Sequence, residues 1–165
     1  MKSGKILIVD DDYDVVTTLE TILQNNGYHT ISASDKKEGK ILALNEKPDL
    51  AILDVMMTTH YEGFELAKEF AENDDLKNIK VLMQTSINVL ITTNPSIQLM
   101  AREYRKKPEY KDLQVILLKD MVTGESGIDY LSESGETIWV PVNGFLRKPV
   151  DSKALLSEVK RLLNQ

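Results

Sequence analysis

The sequence predicts an α/β protein built on a doubly wound, five-stranded parallel sheet, with a helix and hairpin inserted between the fourth and fifth strands. Short apolar runs, typical of strands buried on both faces, alternate with segments whose apolar residues recur at helical spacing. This alternation is typical of β-α-β units, which form parallel sheets with right-handed crossovers. The 165 residues suffice for one core and are too few for two ordinary domains. We therefore expect a single domain over residues 1–165.

The first half of the chain supplies four strands and three helices. The predicted strands cover residues 5–9, 28–32, 50–53 and 80–84, and a predicted helix follows each of the first three. Asn26-Gly27 is typical of a left-handed C-cap and ends the first helix, and the second ends before Pro48. The residues that mark the helices are Val15, Val16, Leu19, Ile22 and Leu23, then Ile41, Leu42 and Leu44, then Phe64, Leu66, Ala67, Phe70 and Ala71.

The final strand and helix lie at the other end of the chain. Residues 144–149 contain the fifth strand, and Asp151 is placed to cap a terminal helix. We expect this helix to bury an apolar stripe against the sheet. The stripe consists of Leu155, Leu156, Val159, Leu162 and Leu163.

The interval between Thr85 and Gly144 is several times longer than an ordinary crossover, which needs about a dozen residues. Its first predicted element is a helix with Asn94 as N-cap and Pro95 in the first helical position. A strand is predicted at 115–118. A hairpin follows, with strands at 128–131 and 137–140 around the polar loop 132–136. We therefore predict an insertion at roughly 88–141. Its many apolar residues indicate an ordered, partner-facing element rather than a floppy loop.

The composition limits the classes of function. The formal net charge is −6 and the pI is about 5.0, so no basic surface suggests a nucleic-acid partner. The chain has no cysteine, which excludes disulfides and thiolate metal sites. Neither a signal peptide nor an apolar run long enough to cross a membrane is recognisable. These features predict a soluble, cytoplasmic protein without nucleic-acid or membrane partners.

Polar side chains follow the predicted strands at the edge where parallel strands end together. They are Asp10–Asp12, Asp54, Thr85 and Lys148. Carboxylates gathered at such an edge favour a hard cation such as Mg²⁺, which keeps positions for water and phosphate oxygens. An ionised Asp54 is then suited to attack phosphorus, while a threonine hydroxyl and a lysine ammonium suit phosphoryl oxygens. Singly, each residue also has an ordinary structural explanation, such as favouring a helix start, ending a strand or lying on the surface.

These residues resemble the receiver domain of two-component response regulators. Val9–Asp12 is similar to the acidic motif of that family, and Leu53–Met57 is similar to its phosphoacceptor segment. Thr85-Ser86 resembles its switch threonine and the small residue that follows, and Lys148-Pro149 resembles its lysine-proline pair. The resemblance covers residues 5–86 and 144–163, with the motifs in the family's order. It implies a flavodoxin-like sheet with strand order 2-1-3-4-5.

The resemblance also implies a site chemistry. Asp54 would accept a phosphoryl group from the phosphohistidine of a sensor histidine kinase or histidine phosphotransfer protein. Asp11 would bind Mg²⁺ directly and Asp10 through water, with Asp54 and the backbone carbonyl of Met56 completing the metal site. Asp12 is assigned to capping of the first helix rather than to metal. The protein would be no enzyme, catalysing only its own phosphorylation and dephosphorylation.

Thr85, Lys148 and Phe145 would respond to the phosphoryl group. Thr85 and Lys148 would contact its oxygens, and Thr85 and the aromatic Phe145 would form the switch. The Lys148-Pro149 peptide bond is expected to be cis, as is usual in the family. We expect no DNA-binding output domain, so the signal would pass to a downstream protein by conformational change or by onward phosphotransfer.

Several features depart from the family pattern. The loop at residues 57–63 lacks the family's proline and is one residue longer, and its His60 is interpreted as a solvated residue. Phe145 cannot hydrogen-bond through a hydroxyl. The insertion stands where the fourth helix should be, within a face that many receivers use for output. Met56 and Ile87 occupy the two positions that usually tune dephosphorylation, and neither can orient a water, which predicts a long-lived phosphorylated form.

Two alternative functions also fit part of the sequence. A haloacid-dehalogenase-like phosphatase also uses a strand-end aspartate, a threonine or serine and a lysine, and Asp10 and Asp12 have its Asp-x-Asp spacing. Asp14, however, stands where threonine or valine is expected, the late acidic motif is missing after Lys148, and Asp54 would have no role. The other alternative is a phosphorylation-independent interaction scaffold whose insertion binds a partner, and the altered loop favours it.

Overall fold

The computed structural model describes residues 4–57, 61–94 and 96–165. In these ranges the strands are β1 (Lys5–Val9), β2 (His29–Ala33), β3 (Leu50–Asp54), β4 (Lys80–Thr85), β5 (Val89–Thr92), β6 (Val115–Asp120), β7 (Ser126–Leu131), β8 (Thr137–Val142) and β9 (Gly144–Arg147). The helices are α1 (Tyr13–Asn25), α2 (Lys36–Glu46), α3 (Glu62–Glu72), α4 (Ile97–Arg105) and α5 (Ser152–Leu162). None of these described helices is both long and apolar enough to cross a membrane.

The central sheet consists of five parallel strands in the order β2-β1-β3-β4-β9. This confirms the predicted doubly wound sheet and, with β9 as its fifth strand, the order 2-1-3-4-5. Every residue of β3 is buried, as expected for a strand covered on both faces. The register places Asp54 of β3 beside Gln84 of β4, so the carboxyl ends of the two strands lie side by side.

Each face of the central sheet has its own apolar cluster because alternate strand residues point to opposite faces. On one face, Leu19 of α1 and Leu155 of α5 share a buried cluster with Ile52. On the other face, Phe70 of α3 belongs to a second cluster with Leu53. Helices on both faces fix the sheet so that only its edges remain available for a site.

The predicted helix caps are confirmed near both ends of the chain. The carboxylate of Asp12 accepts hydrogen bonds from two backbone N–H groups at the start of α1. Asp151 accepts one from the backbone N–H of Ala154 in α5, at 2.9 Å. Gly27 follows the C-cap of α1 with a φ of 88°, a left-handed conformation that glycine adopts readily. The turn from α1 into β2 is therefore built as the sequence predicts.

The insertion forms a second sheet with the strand order β5-β6-β7-β8. β5 runs parallel to β6, whereas β6, β7 and β8 are antiparallel neighbours. The predicted extra strand is confirmed as β6, and the predicted hairpin is confirmed as β7 and β8. β5 was missed because three consecutive apolar residues are too few to separate a strand from the approach to a helix.

The helix of the insertion begins later than predicted. Its N-cap is Ser96 and its first residue is Ile97. The side chain of Asn94 accepts a hydrogen bond from the backbone N–H of Ser96 at 2.9 Å, so Asn94 forms a turn before the helix rather than its N-cap. Pro95, the predicted first residue of the helix, lies outside the described residues.

The second sheet is covered on both faces. One face joins the core that lies over α3 and β4, where Leu117 and Ile128 share a cluster with Phe70. The other face is covered by α4, whose Ala101 packs in a cluster with Leu118. The insertion is therefore packed on the central sheet domain, whereas its predicted partner-facing role stays a prediction.

A buried ion pair fixes α4 to the second sheet. Asp129 of β7 is fully buried and accepts hydrogen bonds from Arg102 Nη1 and Arg105 Nε, both at 2.7 Å. Arg105 also donates to the backbone carbonyls of Tyr110 and Leu113. Charge-assisted bonds of this kind are directional, so they determine the position of α4 more narrowly than apolar contact would.

Candidate functional site

The polar residues predicted at the strand ends lie at the carboxyl edge of the central sheet. Asp10 directly follows β1, Asp54 ends β3, Thr85 ends β4, and Lys148 directly follows β9. Lys148 and Asp10 are 138 residues apart in sequence and are hydrogen-bonded. The parallel sheet thus brings together side chains from both ends of the chain, at the edge where α/β sheets bind ligands.

Lys148 bridges two carboxylates at this edge. Its Nζ donates to Asp54 Oδ2 at 3.0 Å and to Asp10 Oδ2 at 3.3 Å. Asp10 is 1% exposed and Asp54 is 6% exposed. Two buried carboxylates therefore share one ammonium, which leaves an excess of negative charge beside the sheet.

Burial and crowding change the pKa of all three groups. Burial is the main cause that raises the pKa of Asp54 to about 6, and the charge of Asp10 adds to it, while the hydrogen bond from Lys148 acts in the opposite direction. Burial also raises the pKa of Asp10. For Lys148, burial acts to lower the pKa, but the bonds to Asp54 and Asp10 outweigh it and raise the pKa. A second cation would relieve the remaining repulsion.

The carboxylates fit a small divalent cation. Oxygens of Asp10, Asp11 and Asp54 all lie within 4.8 Å of one another. Asp11 is exposed whereas the other two are buried, so a cation among them would keep access to water on one side. Carboxylate oxygens with positions left for water are the environment that Mg²⁺ prefers. The donor set therefore suits the metal that the sequence predicted.

Met56 lies where the chain leaves β3. Its backbone N–H hydrogen-bonds the carboxylate of Asp54, which acts to lower the pKa of that carboxyl. Its side chain is exposed. The role of its backbone carbonyl in metal binding stays a prediction.

Thr85 is buried at the end of β4. Its Oγ1 accepts a hydrogen bond from the backbone N–H of Ile87 at 2.9 Å, and its backbone carbonyl accepts one from the N–H of Lys148 at 2.8 Å. Since the side-chain bond uses Thr85 as an acceptor, its hydroxyl proton is available for another partner. Thr85 is thus tied to Lys148 through the backbone.

Phe145 lies beside Met83 in the register of β4 and β9. It is half-buried and packs against the core cluster that contains the second sheet. The Lys148-Pro149 peptide bond is cis, as expected. The switch role of Phe145 stays a prediction.

The start of α3 lies very close to the end of β3. A Cβ atom at Gly63 would lie 1.6 Å from the backbone carbonyl oxygen of Asp54, so only glycine permits this approach. Tyr61, the N-cap of α3, is buried and has a left-handed φ of 61°. Thr58, Thr59 and His60 lie outside the described residues, and the interpretation of His60 stays untested.

The insertion reaches this loop through aromatic contacts. The ring of Tyr130 on β7 stacks on Phe64 of α3 with a centroid distance of 4.6 Å. It also meets the edge of Tyr61, with centroids 5.6 Å apart. Such pairs stabilise beyond the area they bury. The second sheet is therefore in direct contact with the start of the helix that follows Asp54.

Sequence reasoning missed one residue of the site. Gln84 is fully buried, and its Nε2 donates to Asp10 Oδ2 at 2.9 Å. Its Oε1 has no hydrogen-bond partner among the residues that the structure describes. The available signal was a polar residue directly after the apolar run of β4, one position before Thr85. Its meaning depends on contact with a residue 74 positions away.

Comparison with known sequences points to one family. The family model described as "response regulator receiver domain" matches residues 6–119 of the chain. This range ends before Lys148. The alkaline phosphatase synthesis transcriptional regulatory protein PhoP of Bacillus subtilis is 36% identical over 104 residues, covering 63% of this chain and 42% of that protein. The sporulation initiation phosphotransferase F of the same organism is 32% identical over 108 residues, covering 66% of this chain and 85% of that protein.

A third relative extends across most of the chain. The ycf27 protein of Cyanophora paradoxa is 28% identical over 160 residues, covering 96% of this chain and 64% of that protein. The chain spans about half the length of the transcriptional regulators that it matches.

Solved structures share the fold. The chemotaxis protein CheY4 of Vibrio cholerae has a TM-score of 0.62 at 22% identity, covering 98% of this chain and 99% of that one. A CheY-like response regulator receiver domain protein from Methanospirillum hungatei has a TM-score of 0.62 at 21% identity, covering 99% of this chain and 95% of that one. At these identities the likeness concerns the fold alone.

Proposed function

The chain belongs to the response regulator receiver domain family, and from this premise we propose that Asp54 is its phosphoacceptor. A phosphohistidine on a sensor histidine kinase or on a histidine phosphotransfer protein is the proposed donor. The observation that carries the proposal is the contact of Lys148 Nζ with Asp54 Oδ2, beside the carboxylates of Asp10 and Asp11. It puts a nucleophile, a cation and a metal-binding cluster in one place.

The transfer is a substitution at phosphorus. An oxygen of ionised Asp54 forms the new P–O bond as the P–N bond to the donor imidazole breaks, and the electron pair of that bond returns to the imidazole nitrogen. The products are an aspartyl phosphate and a free histidine, whose imidazole takes up one proton from solvent. The excess of negative charge at the site increases, because the phosphoryl group carries more negative charge than the Asp54 carboxylate that it replaces, beside Asp10 and the single ammonium of Lys148.

Asp10, Asp11 and Asp54 are the side chains that would hold Mg²⁺. The ion would offset negative charge on the carboxylates and on the incoming phosphoryl oxygens. Asp11 and Asp54 are proposed to bind the ion directly together with the backbone carbonyl of Met56, and Asp10 through a water. The exposed Asp11 faces the side from which a phosphodonor and water would arrive.

Lys148 and Thr85 would bind the transferred group. The ammonium of Lys148 already lies within hydrogen-bond distance of Asp54, so it can follow an oxygen of the phosphoryl group with a small displacement. The hydroxyl proton of Thr85 is available as a donor. Because the backbone carbonyl of Thr85 accepts a hydrogen bond from the N–H of Lys148, movement of one residue is coupled to movement of the other. Phe145 lies on β9, the strand that leads to Lys148, and would respond to this movement.

The output of the phosphorylated form is proposed to be a protein contact or onward phosphotransfer. A conformational change around Thr85 and Phe145 would alter the surface near β9, and a downstream protein would bind it. The protein would act in the cytoplasm and would catalyse only its own phosphorylation and dephosphorylation. The relative named phosphotransferase F belongs to the same family, which supports a relay as one form of output.

The phosphatase alternative is not favoured by the position of Asp12. In that alternative Asp12 would serve as the second aspartate of the Asp-x-Asp pair, but its carboxylate accepts bonds from the first turn of α1. The scaffold alternative is supported by the contact of the insertion with the loop after Asp54. That contact also suits a receiver whose insertion responds to the loop.

Incubation with Mg²⁺ and phosphoramidate, followed by intact-mass measurement and a free-phosphate assay, separates the three functions. A receiver gains one phosphoryl group that persists after the donor is removed. A phosphatase releases phosphate steadily without a lasting mass increase. A scaffold does neither, and that result would overturn the proposal provided that the protein is folded.

A further inference from the structure

We infer that Gln84 is a positioning residue for Asp10, which it orients toward the cation of the proposed receiver site. The inference rests on the function proposed above. Gln84 sits beside Asp54 in the register of β3 and β4, and its Nε2 lies 2.9 Å from Asp10 Oδ2. Both side chains are buried, so this bond does not compete with bulk water.

The bond determines which oxygen of Asp10 is free. A carboxylate offers about four acceptor positions, two on each oxygen. Oδ2 accepts from both Gln84 Nε2 and Lys148 Nζ. Oδ1 accepts from the backbone N–H of Asp12 at 2.9 Å, which leaves one position on Oδ1. Among the described contacts, Asp10 can therefore meet a cation or a cation-bound water only through Oδ1.

Gln84 holds this arrangement at a cost to the fold. Its carboxamide cannot be reversed, because Oε1 would then face the carboxylate of Asp10 and both groups accept hydrogen bonds. In the observed orientation Oε1 is buried without a partner among the residues that the structure describes. A buried acceptor without a partner destabilises a folded protein. The carboxamide thus serves the site rather than the stability of β4.

A purely structural role makes the opposite prediction. If Gln84 only filled space beneath α1, its replacement by an apolar side chain of similar size would leave cation binding unchanged. In the positioning role, the same replacement removes one of the two donors to Asp10 Oδ2 and leaves only Lys148 on that oxygen, so the carboxylate is held less firmly. Removal of a partner that orients a ligand typically weakens metal binding about 10–100-fold.

The test compares Gln84→Met with the wild-type chain and with Leu82→Met. Leu82 is fully buried, lies two residues earlier on β4 and faces the same side, so its replacement controls for packing. Mg²⁺ affinity is measured by isothermal titration calorimetry on the unphosphorylated proteins. Thermal unfolding without Mg²⁺ and the backbone amide resonance of Asp12 are measured alongside.

We expect Gln84→Met to weaken Mg²⁺ binding about tenfold, to shift the Asp12 amide resonance without metal, and to keep the wild-type melting temperature or raise it. Leu82→Met should bind Mg²⁺ as the wild type does. Unchanged affinity in Gln84→Met, whether or not stability falls, would overturn the inference and leave the proposed function intact. A wild type that neither binds Mg²⁺ nor takes a phosphoryl group would overturn both. If Gln84→Met does not fold, Gln84→Asn, whose amide is one methylene too short to reach Asp10, replaces it with the same expectations for affinity.

Discussion

Lys148 Nζ lies 3.0 Å from Asp54 Oδ2, although 94 residues separate the two in sequence. Most of that interval is the insertion, which builds a sheet of its own between β4 and β9. The insertion does not displace β9, because β9 still pairs in parallel with β4. The register of that pair places Lys148 at the edge where Asp54 ends β3. The two residues therefore meet despite the extra sheet.

Replacement of Lys148 by methionine should reduce phosphorylation strongly. Loss of one preorganised donor to a reacting oxygen typically slows a reaction about 10²-fold or more, and we expect the rate of labelling by phosphoramidate to fall by about that factor. The measurement is the labelling rate at saturating Mg²⁺. Lys80→Met is the control, because Lys80 is exposed at the opposite end of β4. Equal rates in the two variants would contradict the role of Lys148.

Replacement of Asp129 by asparagine should destabilise the protein. Asp129 is fully buried between Arg102 and Arg105, and removal of one partner from a buried ion pair typically costs about 3–5 kcal/mol. We expect the free energy of unfolding to fall by about 3 kcal/mol in equilibrium denaturation. Glu103→Gln, which breaks an exposed pair with Lys106, should change it by less than about 1 kcal/mol. Similar losses in both variants would show that the buried pair does not hold α4.

Truncation of Tyr130 should loosen the start of α3. The Tyr130 ring stacks on Phe64 and meets the edge of Tyr61, and aromatic pairs of this kind contribute about 0.5–1.5 kcal/mol each beyond burial. Tyr130→Ala should therefore speed hydrogen exchange of the backbone amides at 62–66. Tyr130→Phe keeps the ring and should exchange as the wild type does. Unchanged exchange in the alanine variant would mean that the insertion does not restrain this loop.

The phosphorylated form should be long-lived for a receiver. Hydrolysis of an aspartyl phosphate requires a water aligned opposite the leaving carboxylate, and neither Met56 nor Ile87 carries a side chain that can orient it. The double variant with Met56→Asn and Ile87→Glu should lose the phosphoryl group faster, followed as phosphate release after donor removal. A wild-type half-life of seconds that does not shorten in the double variant would contradict this explanation.

The parts of the fold that were predictable are those with a local signal. Buried strands such as β3 are continuous apolar runs, and the helix caps at Asp12 and Asp151 depend on neighbouring residues alone. Since parallel strands end at one edge, placing Asp10, Asp54 and Lys148 together required only the order of the elements. The position of the site at the carboxyl edge of the sheet could therefore be predicted from the sequence.

The parts that were missed depend on distant partners. The bond between Gln84 and Asp10 joins different strands, and the ion pair of Asp129 with Arg105 joins β7 to α4. Neither has a periodic signature, because a single polar residue in a strand is compatible with many environments. The parallel pairing of β5 with β6 was missed because the three apolar residues of β5 are too few to predict a strand. Such contacts become visible only when the topology is known.

The phosphoacceptor assignment is tested most directly by locating the phosphoryl group. Wild type, Asp54→Asn and Asp12→Asn are incubated with Mg²⁺ and phosphoramidate, and the label is quantified by intact mass before and after hydroxylamine, which cleaves acyl phosphates. We predict a hydroxylamine-labile phosphoryl group on the wild type and on Asp12→Asn, whose lost carboxylate only caps α1, and none on Asp54→Asn. Labelling of Asp54→Asn at the wild-type rate would contradict the assignment of Asp54 and with it the central claim.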